Sequence, residues 1–372
     1  MSTWDFLIIG GGIAGVSVAA ELARHGRTLV LEREPALGYH ATGRSAAVIA
    51  LNYGAPPVRA LTRASLDTLV HTKVNGQHFS HRRGMLLLEL QGQGGGLDAY
   101  LRDPERLGTA HEVELAEARQ RVPILKREAV ARACWEPDLW ALDADALLQW
   151  YRRRARHAGA EIRLNAEVTS LTAHAGGWRV RVQDQTEEAG VVVNAAGAWA
   201  DIAADLAGVS GFGLQPKRRT ALTVPAPASH DVRDWPAVID VGETRYFKPD
   251  AGALMISLAD ETESPPCDAW ANDEDVARAV DRVQEIAELP VERLIASWAG
   301  LRTFAPDRMP VVGWAADQPR FLWLAGQGGY GLQTAPALAE LAASLVLERP
   351  LPVRLRDAGI NADAVAPARF GI

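Results

Sequence analysis

Within its first 32 residues the chain spells out a strand, a glycine turn, a helix and a second strand ending in an acid, an order that few folds accept. Asp5 to Ile9 reads as a short buried strand, and Gly10-Gly11-Gly12-Ile13-Ala14-Gly15 then follows with G-x-G-x-x-G spacing. Ile13 to His25 reads as a helix closed by Gly26, and Thr28 to Glu32 as the next strand. Each glycine has its own physical role. Gly10 permits the tight turn, Gly12 lets a pyrophosphate reach the backbone, and Gly15 lets the helix pack closely on the strand. The helix start at Ile13 and Ala14 offers N–H groups and a positive dipole end to phosphates. Glu32, at the end of the second strand, can accept hydrogen bonds from ribose hydroxyls and would repel a 2′-phosphate. A glycine turn alone is compatible with mere packing; strand, turn, helix, strand and acid in register point to a dinucleotide site.

Length and charge narrow the rest. With 372 residues the chain is long enough for two interleaved domains, so cofactor and substrate can be held by different parts. A net charge of −7 argues against nucleic acid as a partner, and the basic run Arg152 to Arg154 reads as the solvated face of a helix. No run of apolar residues is long enough for an integral membrane segment, and the glycine-broken start does not read as a signal peptide. Cys134 and Cys267 are far apart and form no C-x-x-C, which fits a reducing, cytoplasmic setting without a disulfide relay. The histidines show no ligand spacing, so no metal site is expected.

After Glu32 comes a polar, glycine-punctuated stretch, Glu34 to Ala47, where a simple NAD fold would begin its next helix. Near the C-terminus, Phe321 to Ala325 reads as a strand leading into Gly326-Gln327-Gly328-Gly329-Tyr330-Gly331 and a helix from about Thr334 to Leu347, with Pro336 in its first turn. This repeats G-x-G-x-x-G, and Glu348 lies at a fitting distance. Yet Leu338, Leu341 and Leu345 continue the helical stripe, and no turn or strand precedes Glu348, so a second nucleotide site is rejected. Between the two glycine motifs, Glu167 to Ala173 and Trp178 to Asp184 read as a small meander, and Val191 to Asn194 as a buried strand ending in Ala195-Ala196-Gly197-Ala198-Trp199.

On these segments the chain resembles the D-amino acid oxidase family of FAD-dependent oxidoreductases. The resemblance implies an α/β chain, α+β overall, with a Rossmann-like FAD-binding domain interleaved with a mostly antiparallel substrate-binding domain. By it, Arg33, Thr42, Gly43, Arg44, Ser45, Ala46 and Ala47 follow the pyrophosphate and flavin, and Val168 touches the adenine. Ala196, Gly197 and Trp199 adjoin the adenosine and phosphates; Gly300, Gly328, Gly329, Tyr330, Gly331 and Gln333 border the flavin ring. The second glycine loop and its helix would face the N1 and C2 carbonyl edge, where charge collects on reduction. With no cysteine in Trp298 to Gly313, where some relatives attach flavin, FAD should be bound non-covalently. Residues 1–80, 142–210 and 296–372 are expected to form the FAD domain, and 81–141 and 211–295 the substrate domain.

An enzyme oxidising an amino acid must hold its carboxylate, and the planar fork of arginine is well shaped for doing so. Within the family the likeness is to the bacterial catabolic D-arginine dehydrogenases, which implies Arg219, Arg302 and Tyr246 as the carboxylate clamp, with Tyr53 in the active-site wall or lid and Gly329 beside the reacting centre. Where that group presents a carboxylate to the substrate guanidinium, a strand His81 to Leu87 leaves Gly84 here, and Val48 and Ile49 replace more polar residues. The implied reaction is oxidative deamination of a D-amino acid with a neutral or apolar side chain, by hydride transfer from Cα to flavin N5, giving a 2-oxo acid and ammonia. The electron acceptor, oxygen or a carrier, stays open. Alternatives are a glycine or sarcosine type of secondary-amine oxidase, a 2-hydroxy acid dehydrogenase with a histidine base, and a redox-silent flavin binder.

Overall fold

The computed structural model describes residues 3–371. Its central strand, Thr3–Ile9, pairs in parallel with Thr28–Leu31 on one side and Gln185–Asn194 on the other. Glu161–Arg163 extends the sheet beyond Thr28–Leu31, while Phe321–Ala325 and then antiparallel Val311–Trp314 extend it on the far side. Period-two alternation sorts the side chains: Phe6 and Ile8 join a core with the helices Ile13–Leu22, Ala144–His157 and Gly331–Val346, whereas Leu7 and Ile9 join Leu29, Leu31, Trp178 and Val180. Burial on both faces from Phe6 onward is why the second half of this strand, Phe6 to Ile9, is an unbroken apolar run.

Three boundaries differ from the sequence expectation for physical reasons. The first helix stops at Leu22 and not His25, because the chain turns back on Asp5, whose Oδ2 accepts the Arg27 N–H at 2.7 Å. The strand expected at Val191 to Asn194 begins at Gln185: its polar first half pairs antiparallel with Gly177–Val182, and its apolar second half runs parallel to Phe321–Ala325. The last long helix starts at Gly331, so Pro336 lies inside it and not in its first turn.

The second, nine-stranded sheet is antiparallel apart from the pair Ala237–Asp240 and Met85–Leu90. Its core joins Leu86, Leu88, Val238, Phe247, Leu254 and Ile256 to Ala279 and Val283 of the helix Asp273–Ile286. Ala296–Phe304, assigned by sequence to the FAD domain, pairs along its length with Gln215–Val224, so Gly300 and Arg302 belong by hydrogen bonding to this second sheet. The expected strand His81 to Leu87 is broken: Ser80–Arg82 joins a small sheet with Leu139–Leu142 and Val48–Ala50, and Met85–Leu90 enters the large one. Gly84 turns the corner at φ +73°, and a Cβ there would lie 2.0 Å from the Trp135 ring. Among the described residues no helix is long and apolar enough to cross a membrane.

Candidate active site

One continuous cleft is lined at one end by Glu32, Arg33 and Trp199 and at the other by Arg219, Tyr246 and Arg302. The first glycine turn forms its floor. Gly10 has φ +108°, and a Cβ there would lie 2.4 Å from the Ala195 carbonyl oxygen; one on Gly15 would lie 1.9 Å from the Gly10 oxygen. A Cβ on Gly12 would meet nothing closer than Thr42 Oγ1 at 3.3 Å, so the Gly12 backbone is open to the cleft. Thr42 Oγ1 accepts the Ile13 N–H at 3.0 Å, and no Ncap side chain closes the helix start. Glu32 is buried, its two oxygens accepting from the Gly11 N–H at 2.6 Å and the Glu34 N–H at 2.8 Å. An open Gly12 backbone, a helix N-terminus whose only side-chain cap is Thr42 on the Ile13 N–H, and a fixed acid in one cleft fit a pyrophosphate-linked dinucleotide.

Of the residues expected around that cofactor, Ala14, Ser45, Ala46, Val168, Ala196 and Gly197 line the cleft, as do Gly300, Gly328, Gly329 and Gly331. Arg33 lies 4.5 Å over the Trp199 ring, with the His40 ring packed at a tilt against the same ring, 4.6 Å between centroids. Arg44 lines the cleft but spends its guanidinium elsewhere: Nη1 donates to the Ala269 and Ala299 carbonyls at 2.8 and 3.0 Å, and Nη2 to Asp268 at 2.5 Å. Gly43, Ala47, Tyr330 and Gln333 stand behind the lining. Gly43 sits in a turn under the Gly38 carbonyl, Ala47 packs into the core, and Tyr330 is buried against Phe304, its pKa pushed up to about 12 by burial. Gln333 turns its amide to the backbone of Ala50 and to Thr62 Oγ1, bonds that a side chain facing flavin could not make.

The sequence reading missed Glu167, Ile202 and Leu206 at the Trp199 end and Ala221, Met255 and Cys267 at the other. Ile202 and Leu206 are 46% and 38% exposed on the short helix Ala200–Ala207, an i, i+4 apolar pair that was the one available signal. The others come from strands and a loop distant in sequence and carry no local mark.

At the far end, register sets two arginines side by side. Arg219 stands opposite Gly300 and Lys217 opposite Arg302 on adjacent antiparallel strands. Arg302 Nη1 donates to the Tyr53 hydroxyl at 3.3 Å; among the described residues its Nε and Nη2 make no hydrogen bond. Arg219 donates from Nε to the Asp260 carbonyl at 2.7 Å and from Nη2 to Glu261 at 3.5 Å, with none from Nη1 among the described residues. Glu261 is itself bound by both Arg308 terminal nitrogens, at 2.7 and 2.9 Å. Burial works against both cations: it and the neighbouring Arg302 charge push the Arg219 pKa down, whereas at Arg302 the fields of Tyr53, Tyr246, Glu261 and Glu243 outweigh burial and raise it. Gly329 admits Arg302 and Tyr53 closely, a Cβ there falling 3.0 Å from Nη1 and 3.2 Å from the hydroxyl. Tyr53 touches Arg302 without lining the cleft. Gly84 and Ile49 lie away from the cleft, one under Trp135 and the other in the core, so neither shapes the substrate pocket as the sequence suggested. Among the described residues no group of three or more His, Cys, Asp or Glu is placed to hold a metal ion.

Known proteins share this fold over nearly the whole chain. The family model for FAD dependent oxidoreductases, DAO, matches residues 5–345. A D-amino-acid oxidase of Streptomyces coelicolor is 28% identical over 92% of this chain and 96% of its own. A glycine oxidase of Bacillus licheniformis is 23% identical over 94% of each chain. The glycine oxidase structure from Geobacillus kaustophilus superposes with a TM-score of 0.80 at 22% identity, covering 94% of this chain and 96% of that one. The FAD-bound L-alpha-glycerophosphate oxidase from Mycoplasma pneumoniae gives 0.83 at 19%, covering 93% and 95%. With the glycine turn, Glu32 and the paired arginines in one cleft, the chain belongs to the DAO family of FAD-dependent oxidoreductases.

Proposed function

We propose that the protein oxidatively deaminates a free D-amino acid with a neutral or apolar side chain. The observation that carries this reading is the pair Arg219 and Arg302, whose unused guanidinium donors open on the same end of the cleft. Arg219 shares Glu261 with Arg308, and Arg302 has no ion-pair partner among the described residues, so the pair leaves positive charge in excess; a carboxylate accepts from both forks at once. Among the described residues the only carboxylates lining the cleft, Glu32 and Glu167, belong to its opposite end, and Ala46, Ala221, Met255 and Leu301 give the substrate end an apolar wall. A cationic side chain would there meet two arginines with no carboxylate in the lining beside them.

Non-covalently bound FAD supplies the two-electron acceptor for the Cα hydride. The chain's own residues orient: Arg219, Arg302 and Tyr246 fix the carboxylate, and the substrate amine loses its proton before transfer. The imino acid leaves with its Cα–N double bond and is hydrolysed to the 2-oxo acid and ammonia. No strong base is required of the protein, and orientation with electrostatic support contributes most of the acceleration. Among the described residues no histidine lines the substrate end, since His40 packs against Trp199 at the other, which disfavours the 2-hydroxy acid alternative. Full-length likeness to a glycine oxidase keeps glycine and sarcosine as the second reading.

The test is anaerobic mixing of holoenzyme with D- and L-amino acids, glycine, sarcosine and 2-hydroxy acids, following loss of flavin absorbance and formation of 2-oxo acid. Neutral D-amino acids should bleach the flavin fastest. D-Arginine as best substrate by kcat/KM would overturn the side-chain assignment, and bleaching only by sarcosine or glycine would replace the substrate class.

A further inference from the structure

A buried acid lies just outside the cleft, in a place the reaction does not use. Glu136 ends the strand Val130–Glu136, opposite Met85, and is 2% exposed. Burying a carboxylate is costly unless donors surround it, and burial pushes this one's pKa up. Its donors are unusual in origin. Tyr100, from the helix Gly96–Arg102, donates its hydroxyl to Oε2, and Asn52 donates Nδ2 to Oε1 at 2.9 Å.

Asn52 comes from a different part of the molecule, the loop between the strand Val48–Ala50 and the helix Pro56–Leu66. Its amide is spent wholly on the substrate domain. Nδ2 also donates to the Leu107 carbonyl at 2.9 Å, and Oδ1 accepts the Leu107 N–H at 2.7 Å. A second tie lies in the first turn of that helix: Arg59 Nε donates to the Gly54 carbonyl at 2.9 Å while its Nη1 pairs with Asp103 at 2.5 Å. Between these anchors stands Tyr53, with its hydroxyl on Arg302 and its ring 5.0 Å from that of Tyr330.

We infer that Glu136 and Asn52 are positioning residues: the buried Asn52–Glu136–Tyr100 cluster sets the height of the Tyr53 loop over Arg302 and thereby how tightly the site holds a substrate carboxylate. The chemistry supports a set point and not simple glue. An asparagine with every amide atom paired has one orientation, and the residue after it inherits that orientation through the backbone. A misplacement of the order of 1 Å at a group that orients the substrate is enough to cost about a hundredfold. The inference rests on the reading of Arg302 as the carboxylate holder.

The test uses holoenzyme and separates KM from kcat. Asn52→Ala should raise KM for the amino-acid substrate roughly five- to twentyfold, with kcat changed less than about threefold, as expected for lost bonds to a charged group. Glu136→Ala should do the same, whereas Glu136→Gln, which keeps an acceptor for Asn52 and a polar partner for Tyr100, should restore KM to within about threefold of the parent. In a Tyr53→Ala background, Asn52→Ala should have no further effect on KM, because its route to the site is gone. If Asn52→Ala does not fold, Tyr100→Phe takes its place with a smaller shift, about two- to fourfold, and the same dependence on Tyr53. A fall in thermal midpoint with KM unchanged, or full additivity of Asn52→Ala with Tyr53→Ala, overturns the inference. Arg302→Ala run alongside keeps the two readings apart: if that variant also leaves KM unchanged, it is the carboxylate assignment that has failed.

Discussion

Replacing Arg302 by alanine is the sharpest probe of the cleft. The side chain offers Nε and Nη2 to the cleft and holds Tyr53 through Nη1, so truncation removes a charged fork and its neighbour's support together. Losing one partner of a desolvated, hydrogen-bonded charge pair costs about 2–5 kcal/mol. Arg219 remains in the same cleft and keeps part of the attraction for a carboxylate, which argues against the upper end. We therefore expect a loss of about 3–4 kcal/mol, or roughly 10²- to 10³-fold in kcat/KM. Arg302→Lys keeps the charge without the fork and should recover about tenfold of this. Anaerobic stopped-flow mixing, read as flavin absorbance decay against substrate concentration, yields both the dissociation constant and the limiting rate. The control is an amine of similar size without a carboxylate, whose slow reduction of flavin should be insensitive to the substitution. An equal loss on that amine, or an undiminished kcat/KM on the amino acid, would refute the assignment of Arg302.

The second and third glycines of the G-x-G-x-x-G motif should separate by what each one touches. Gly15→Ala forces a Cβ to 1.9 Å from the Gly10 oxygen and should lower stability by roughly 1–3 kcal/mol with or without FAD, whereas Gly12→Ala should leave apoprotein stability within about 0.5 kcal/mol and weaken FAD binding at least about tenfold; melts and flavin titration read the two. Glu261 is held below the usual carboxylate range chiefly by its Arg308 hydrogen bonds, so its stabilisation is present at neutral pH and lost as pH falls through its folded pKa, below about 4.5; the melting temperature of Glu261→Gln should vary less over that window than the parent's. Gly84→Ala should destabilise by about 2 kcal/mol or more in denaturant, given its positive φ and the Trp135 ring 2.0 Å from the new Cβ, without changing the preference between neutral and cationic D-amino acids. A gain of D-arginine activity in Gly84→Glu would return that residue to the substrate pocket.

What could be read in the sequence was what is local. Strand, Gly10 to Gly15, helix and Glu32 lie within one βαβ unit, so spacing alone places the acid beside the glycine turn, and Glu32 does meet the Gly11 N–H. The paired arginines could be named but not arranged: their adjacency depends on the register of Gln215–Val224 against Ala296–Phe304, two segments that no local pattern aligns. Direction was the harder quantity. Gln333 and Gly331 are two residues apart on one helix, yet Gly331 lines the cleft and Gln333 faces Ala50 and Thr62. Gly84 shows the same failing on a strand, where a break at the preceding residue turned an expected pocket wall into a corner.

Arg44 gives the cofactor loop a property that its glycines do not suggest. Its bonds to Ala269, Ala299 and Asp268 fasten this cleft-lining segment to the nine-stranded sheet and its adjoining loop, so the segment moves away from the cleft only if these bonds break. On the FAD placement proposed above, escape of the cofactor is expected to wait on parting of the two cores, so its residence time should report how rarely the molecule opens.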